Sequence, residues 1–255
     1  MTQRLNYNAA SPAGMKALGR SGLLIGFALG GFFDGVLLHQ ILQWHHLLSL
    51  VDGVRDQVLF DGLFHLLMYV LAVAGLALLL RHRAMLAENA AGGRLLAAPL
   101  LGFGLWHVTD ALLSHWLLGI HRIRVDSSDP LMWDLLWLGL FGLVPIALAY
   151  RLGRSAGPGS RSTATVIAIL TLGAGGWAAR PPATVETMVV FSPGLNQGQA
   201  LHAILDAGAT PLTHTDGIWV IRWQERPRIR RLFTGGALLV GNGPLGAGCL
   251  SWTRA

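Results

Sequence analysis

Asp34, His39 and His45 follow one another at intervals of five and six residues, and Asp110, His115 and His121 repeat the same types at the same intervals. One carboxylate and two imidazoles form a divalent-metal ligand set, in which Asp either ligates or orients a His through its other ring nitrogen. One imidazole from each copy, His39 and His115, would also serve as the two axial ligands of a haem b. His46, His65 and Asp61, with Asp134 as the counterpart of Asp61, complete the candidate ligands. Asp34, Asp110 and His107 are expected behind them, as groups that orient the ligating rings. A mixed His and Asp set suits zinc, iron or copper(II). Cys249 is the only cysteine, which excludes an intramolecular disulfide, a CxxC site and an iron–sulfur cluster.

These residues lie in apolar surroundings. The chain is 53% apolar and 13% charged, against roughly a quarter charged in ordinary soluble domains. Four apolar stretches, 21–47, 58–80, 95–121 and 131–152, each exceed the roughly 20 helical residues that cross a hydrocarbon core. The fold expected is an all-α membrane protein with a four-helix transmembrane bundle. A fifth, shorter run at 163–179 reads as a tether helix.

The bundle carries an internal repeat. A shift of 76 residues lays Gly26-Phe27 on Gly102-Phe103, Asp34 on Asp110, His39 on His115 and His45 on His121 without a gap. A weaker match lays Phe60-Asp61 on Trp133-Asp134 and Arg81 on Arg154. His65, His46 and His107 have no His in the matching position, which holds Leu138, Arg122 and Gly31 respectively. The unit is two helices, 21–80 and then 95–152, and its repetition implies a pseudo-twofold axis along the membrane normal.

At a rise of about 1.5 Å per residue, Asp34 lies about 20 Å, His39 about 27 Å and His45 about 36 Å along the first helix. Asp61 and His65 then enter from the far side, so the polar residues form one layer at one face. Facing is less orderly. On a continuous α-helix His39 stands about 140° from Asp34 while His45 stands within about 20° of it. Either the helices kink near their glycines, or some of these groups serve helix–helix hydrogen bonds.

Orientation follows from the loops. Arg4, Lys16 and Arg20 precede the first span, and Arg81, Arg83, Arg94, Arg151, Arg154 and Arg161 fill the second and fourth connections. The first and third connections dilute Arg55, Arg122 and Arg124 with Asp52, Asp56, Asp126 and Asp129. The positive-inside bias puts the N-terminal tail, 1–20, in the cytoplasm of a bacterial inner membrane. Five crossings put the C-terminal end in the periplasm.

After the core, 21–152, comes a linker and the fifth helix, 153–182, with Gly, Ser and Pro at 153–160 and Pro181-Pro182 at its end. The segment 183–255 reads as a small α/β module outside the membrane, with strands at 187–191, 217–223 and 237–240 and helices at 197–207 and 227–233. Its His202 and His214 are expected at the surface and Cys249 as a small buried side chain. The basic run 226–231 reads as a solvated helix face; membrane lipid is the expected surrounding and nucleic acid is not an expected partner.

The stretch Gly31-Phe32-Phe33-Asp34-Gly35 through His39-Gln40-Ile41-Leu42-Gln43-Trp44-His45-His46, with Asp61-Gly62-Leu63-Phe64-His65 and 115–121, resembles a bacterial membrane-protein family known only as domain of unknown function 2243. The resemblance covers about 20–152. It implies no activity; it implies an association with haem–copper oxidase assembly factors, hence a respiratory oxidase or assembly factor as partner. The family pattern implies His or Asp before His115 and His after His121, where this chain has Ser114 and Arg122.

The function expected is thus a metal- or haem-binding membrane protein at the periplasmic face, accessory to a respiratory oxidase or to its biogenesis. The alternatives are an intramembrane zinc hydrolase, with Asp as general base, and a structural scaffold without cofactor.

Overall fold

Helix α2 (Val54–Arg81) turns the soluble pattern inside out. Asp61, His65, Met68 and Ala72 are buried, while Leu63, Leu66, Val70 and Val73 stand between 48% and 66% exposed. Lipid tails are as apolar as leucine, so a membrane helix gains little by hiding leucines and much by turning its polar groups inward. Four segments are long and apolar enough to cross a membrane: Ala13–His39, Arg55–Arg81, Ala91–Leu117 and Pro130–Leu152.

The structure is a computed structural model that describes residues 12–42, 44–87, 91–154, 161–178, 186–215, 217–224 and 226–241. Most of the N-terminal tail, the linker at 155–160, Pro181-Pro182 and Cys249 lie outside the described residues. The first span is α1 (Pro12–Asp34) continued by a π-helix, Gly35–Ile41. After α2 and a 3₁₀ turn comes α3 (Ala91–Asp110), continued by a second π-helix, Ala111–Leu117. The fourth span is α4 (Pro130–Trp137), a π-helix at Leu138–Leu143, and α5 (Val144–Leu152). Two sequence expectations are corrected here. The first helix ends at Ile41 rather than near residue 47, and the third ends at Leu117 rather than 121. Helix α6 (Arg161–Ala178) follows; it is not among the four segments apolar enough to span, its hydropathy lowered by Arg161, Thr and Gly.

The chain divides into two compact units. The first holds residues up to Phe33, Leu67–Leu113 and Met132–Gly175. Within it α1 and α3 cross on glycines. A Cβ on Gly26 would collide with the carbonyl oxygen of Pro99, and one on Gly102 with that of Leu23. Backbones that close require glycine, as at other small-residue crossings in membranes. Helix α6 lies along α2: Ala164 packs in a cluster with Leu79 and Leu86, and Tyr69 Oη donates to Gly175 O at 2.8 Å.

The second unit holds Asp34–Leu66, Ser114–Leu131 and the C-terminal residues from Gly176. Its C-terminal part is a four-stranded antiparallel sheet of order β2-β3-β1-β4, formed by β1 (Glu186–Phe191), β2 (Ala209–Thr215), β3 (Ile218–Trp223) and β4 (Ala237–Gly241). Helices α7 (Gln197–Asp206) and α8 (Ile229–Thr234) join them. Asn196 caps α7 in a reciprocal capping box with Gln199, and Gly208 at φ +80° ends it. Strand β2 was not expected. It is an edge strand, mostly exposed, with Pro211 and a bulge between Pro211 and Thr213, so it lacks both the apolar run and the alternation that mark a strand. Along β1 the side chains alternate. Val189 and Phe191 pack with Ile204 and Leu232, while Met188 and Val190 pack with Ile218 against Val58 of α2. Arg55 Nε donates to Phe191 O at 3.2 Å, and the glycine face at Gly62 receives Leu239. The module thus docks on the first turns of α2.

Candidate metal centre

Asp34 closes α1, and the π-helix begins one residue later. A π-helix bonds residue i to i+5, so residues five apart share a face. Asp34 to His39 is such a step, and Asp110 to His115 is the other; the two π-helices themselves stand 76 residues apart. The change of helix type removes the conflict in facing that α-helical counting gives. Because the helix stops at Ile41, His45 and His46 are not helical; the chain turns and brings them back beside His39.

The two connections that bear histidines interlace. His45 Nδ1 donates to Ile123 O at 2.9 Å, and His121 Nδ1 donates to Leu47 O at 2.9 Å. Each histidine thus bonds the carbonyl two residues beyond the other. Trp44 N donates to Leu38 O, and Ile120 N to Ser114 O, both at 2.9 Å. The rings of His45 and His121 stack with centroids 4.6 Å apart and planes 11° from parallel. Gly119, at φ +62°, supplies a left-handed turn just before His121.

Asp61 organises the remainder. Its Oδ2 accepts from His46 Nδ1 at 2.7 Å, its Oδ1 from Leu47 N at 2.8 Å, and its carbonyl from His65 Nδ1 at 2.8 Å. Ser49 Oγ accepts from His46 N at 2.6 Å and donates to His46 O. Gly35 makes room for His65, since a Cβ there would stand 2.6 Å from His65 Nε2.

These bonds determine tautomers. Carbonyl and carboxylate oxygens only accept, so His45, His46, His65 and His121 each carry a proton on Nδ1. In the neutral ring the lone pair then sits on Nε2, the arrangement of a metal-ligating His whose other nitrogen is held by an oxygen. His39 differs: neither of its ring nitrogens makes a hydrogen bond among the described residues, though it is buried. Its ring centroid lies 4.8 Å from His45, 5.7 Å from His46, 6.5 Å from His65 and 5.9 Å from Phe64. His115 packs 4.7 Å from His121. Asp34, His39 and His45 each offer a ligand atom within 4.8 Å of the others, and so do His39, His46 and Asp61.

Of the sequence-expected residues, the second unit collects His39, His45, His46, His65, His115, His121, Asp34 and Asp61, all buried. Asp110, His107 and Asp134, also buried, fall in the first unit. There Trp137 Nε1 donates to His107 Nδ1 at 3.2 Å, within a surround of Phe33, Phe103 and Phe141. His107 therefore accepts through one nitrogen in an aromatic cluster. Sequence reasoning missed the loop carbonyls of Leu47 and Ile123, and the roles of Ser49 and Gly35. Only Gly35, inside the Phe33-Asp34-Gly35 motif, left a readable signal.

No curated protein and no solved structure matches the chain. The family described as "Predicted membrane protein (DUF2243)" matches it over residues 21–156, more than half its length and most of the four-span region, and the chain belongs to that family.

Proposed function

We propose that this protein is an integral membrane protein that holds a divalent metal, zinc, iron or copper(II), in a buried His and Asp layer at the outer ends of its spans. The observation that carries the reading is the set of four imidazoles fixed through Nδ1, which leaves Nε2 on each as the ligating nitrogen. His39, without a hydrogen bond at either nitrogen, is the fifth. A scaffold that merely tolerated a buried His39 would satisfy its ring nitrogens, since each unmet buried polar group costs about 1–3 kcal/mol.

A bare ion suits this packing better than haem. Axial imidazoles must stand on opposite faces of a porphyrin, whereas the ring of His39 is packed against His45 and that of His115 against His121. The oxidase partnership stays what the resemblance implies, and the geometry adds nothing to it. The hydrolase reading would route a water through the same ligands with Asp34 or Asp61 as base, yet both oxygens of Asp61 already accept hydrogen bonds, which makes it a weaker base.

The repeat is supported from both units. Gly26 faces Pro99 as Gly102 faces Leu23, and His45 bonds Ile123 as His121 bonds Leu47, each pair related by the shift of 76. The outward placement rests on loop charge, to which Arg124 adds little because it donates to Asp126 at 2.9 Å, holding that carboxyl below the usual carboxylate range.

Metal analysis of detergent-purified protein tests the reading, with an optical spectrum beside it. Stoichiometric metal, lost in the His39→Ala, His115→Ala double variant, is the expected result. A Soret band would return the site to haem. Folded protein that stays empty when zinc, iron and copper are offered would leave the scaffold alone.

A further inference from the structure

Within the second unit two groups of candidate ligands, Asp34, His39 and His45 and then His39, His46 and Asp61, share His39. In the first, His45 Nε2 stands 3.7 Å from Asp34 Oδ1; in the second, His39 Nδ1 stands 3.5 Å from Asp61 Oδ1. These separations are long for hydrogen bonds. They match the spacing of neighbouring ligand atoms around a tetrahedral ion, where bonds of about 2.0–2.2 Å put ligands about 3.3–3.6 Å apart. His39 is 3% exposed, and neither ring nitrogen makes a hydrogen bond among the described residues. Its neighbours His45, His46 and His65 all have Nδ1 engaged by an oxygen. The histidine shared by these two groups thus has both ring nitrogens uncommitted to a hydrogen bond among the described residues.

We infer that the centre is dinuclear, with His39 bridging two divalent ions as an imidazolate, Nδ1 on the ion held by Asp61 and Nε2 on the ion held by Asp34 and His45. This rests on the metal-binding reading above and deepens it. Charge favours the bridge. One divalent ion is balanced by the two carboxylates, and a second in a buried site needs a further anion, which the ring supplies by releasing its nitrogen-bound proton to solvent.

The test loads the full-length protein in detergent with copper(II), removes loose metal, and reads copper per chain together with the integrated electron paramagnetic resonance intensity. The inference expects two coppers per chain with intensity far below that of two independent spins, because spins joined through an imidazolate couple. Asp34→Asn and Asp61→Asn, which keep side-chain volume, should each retain one copper at full single-spin intensity, with helical circular dichroism confirming the fold. Wild type that saturates at one copper, or that holds two with uncoupled intensity, would overturn the bridge while leaving the metal site in place. So would an Asp variant that loses all copper while remaining folded. No copper in wild type would overturn the metal reading with it.

Discussion

A buried imidazole is defined by what holds its second nitrogen. His45 and His121 are held by main-chain carbonyls, His46 by a carboxylate, and His65 by the carbonyl of Asp61 one helical turn earlier. The supports are therefore as exposed to mutation as the ligands. Gly35→Ala adds one methyl group where His65 Nε2 would stand 2.6 Å away, so the ring must swing aside. Metal affinity, read by competition with a chelator, is expected to fall about 10–100-fold, the usual loss when a ligand's orientation is disturbed, with helicity unchanged. Unchanged affinity would remove His65 from the site. His107 gives the opposite case. Its Nδ1 accepts from Trp137 amid phenylalanines, so His107→Phe should retain full metal stoichiometry and cost about 1–3 kcal/mol through the orphaned indole N–H. Metal loss in that variant would restore His107 to the supporting role that its place in the sequence suggests.

At the scale of elements, the spacing Asp-x4-His is the period of a π-helix, and both copies fold as one. Much of this was legible before the structure. The four apolar spans and the closeness of His39, His45, His46, His65 and Asp61 follow from residue types and intervals. The facing was not, because counting at 100° per residue presumes an unbroken α-helix, and here the helix type changes at Gly35 and the helix ends at Ile41. Nor was the interlacing of the histidine-bearing connections, since carbonyl acceptors leave no trace in residue identity. Strand β2 escaped for a related reason: its stability comes from pairing with β3, not from its own apolar content. The α1–α3 crossing makes a separate prediction. A methyl group on Gly102 would meet the Leu23 carbonyl, which cannot rotate away, so Gly102→Ala should destabilise by about 1–3 kcal/mol as overpacked sites do. Gly139→Ala, with open space beside it, should cost far less. Thermal unfolding in one detergent compares the two directly, and equal losses would refute the close crossing.

For the whole molecule, the sheet constrains the topology. Met188, Val190 and Ile218 pack on Val58, and Phe191 accepts from Arg55, so the C-terminal module sits at the N-terminal end of α2. That end leads from the first connection. Three crossings by α2, α3 and the fourth span are expected to carry the chain to the other face of the membrane by residue 152. We expect α6, packed along α2 from Leu79 to Tyr69, to make a fifth crossing despite its modest hydropathy. A helix of 18 residues rises about 27 Å, close to the thickness of the hydrocarbon core. Thiol labelling checks this, because a Cys249→Ser background removes the only native cysteine. Ser127→Cys in the third connection and Gln197→Cys in the module should both react with an impermeant reagent applied from outside intact spheroplasts, while Arg83→Cys should react only after lysis. Gln197→Cys protected with Arg83→Cys would mean that α6 stays on the inner side, and the docking of the sheet on α2 would then have to be abandoned. Labelling of Arg83→Cys alone would invert the protein and place the His and Asp layer at the cytoplasmic face.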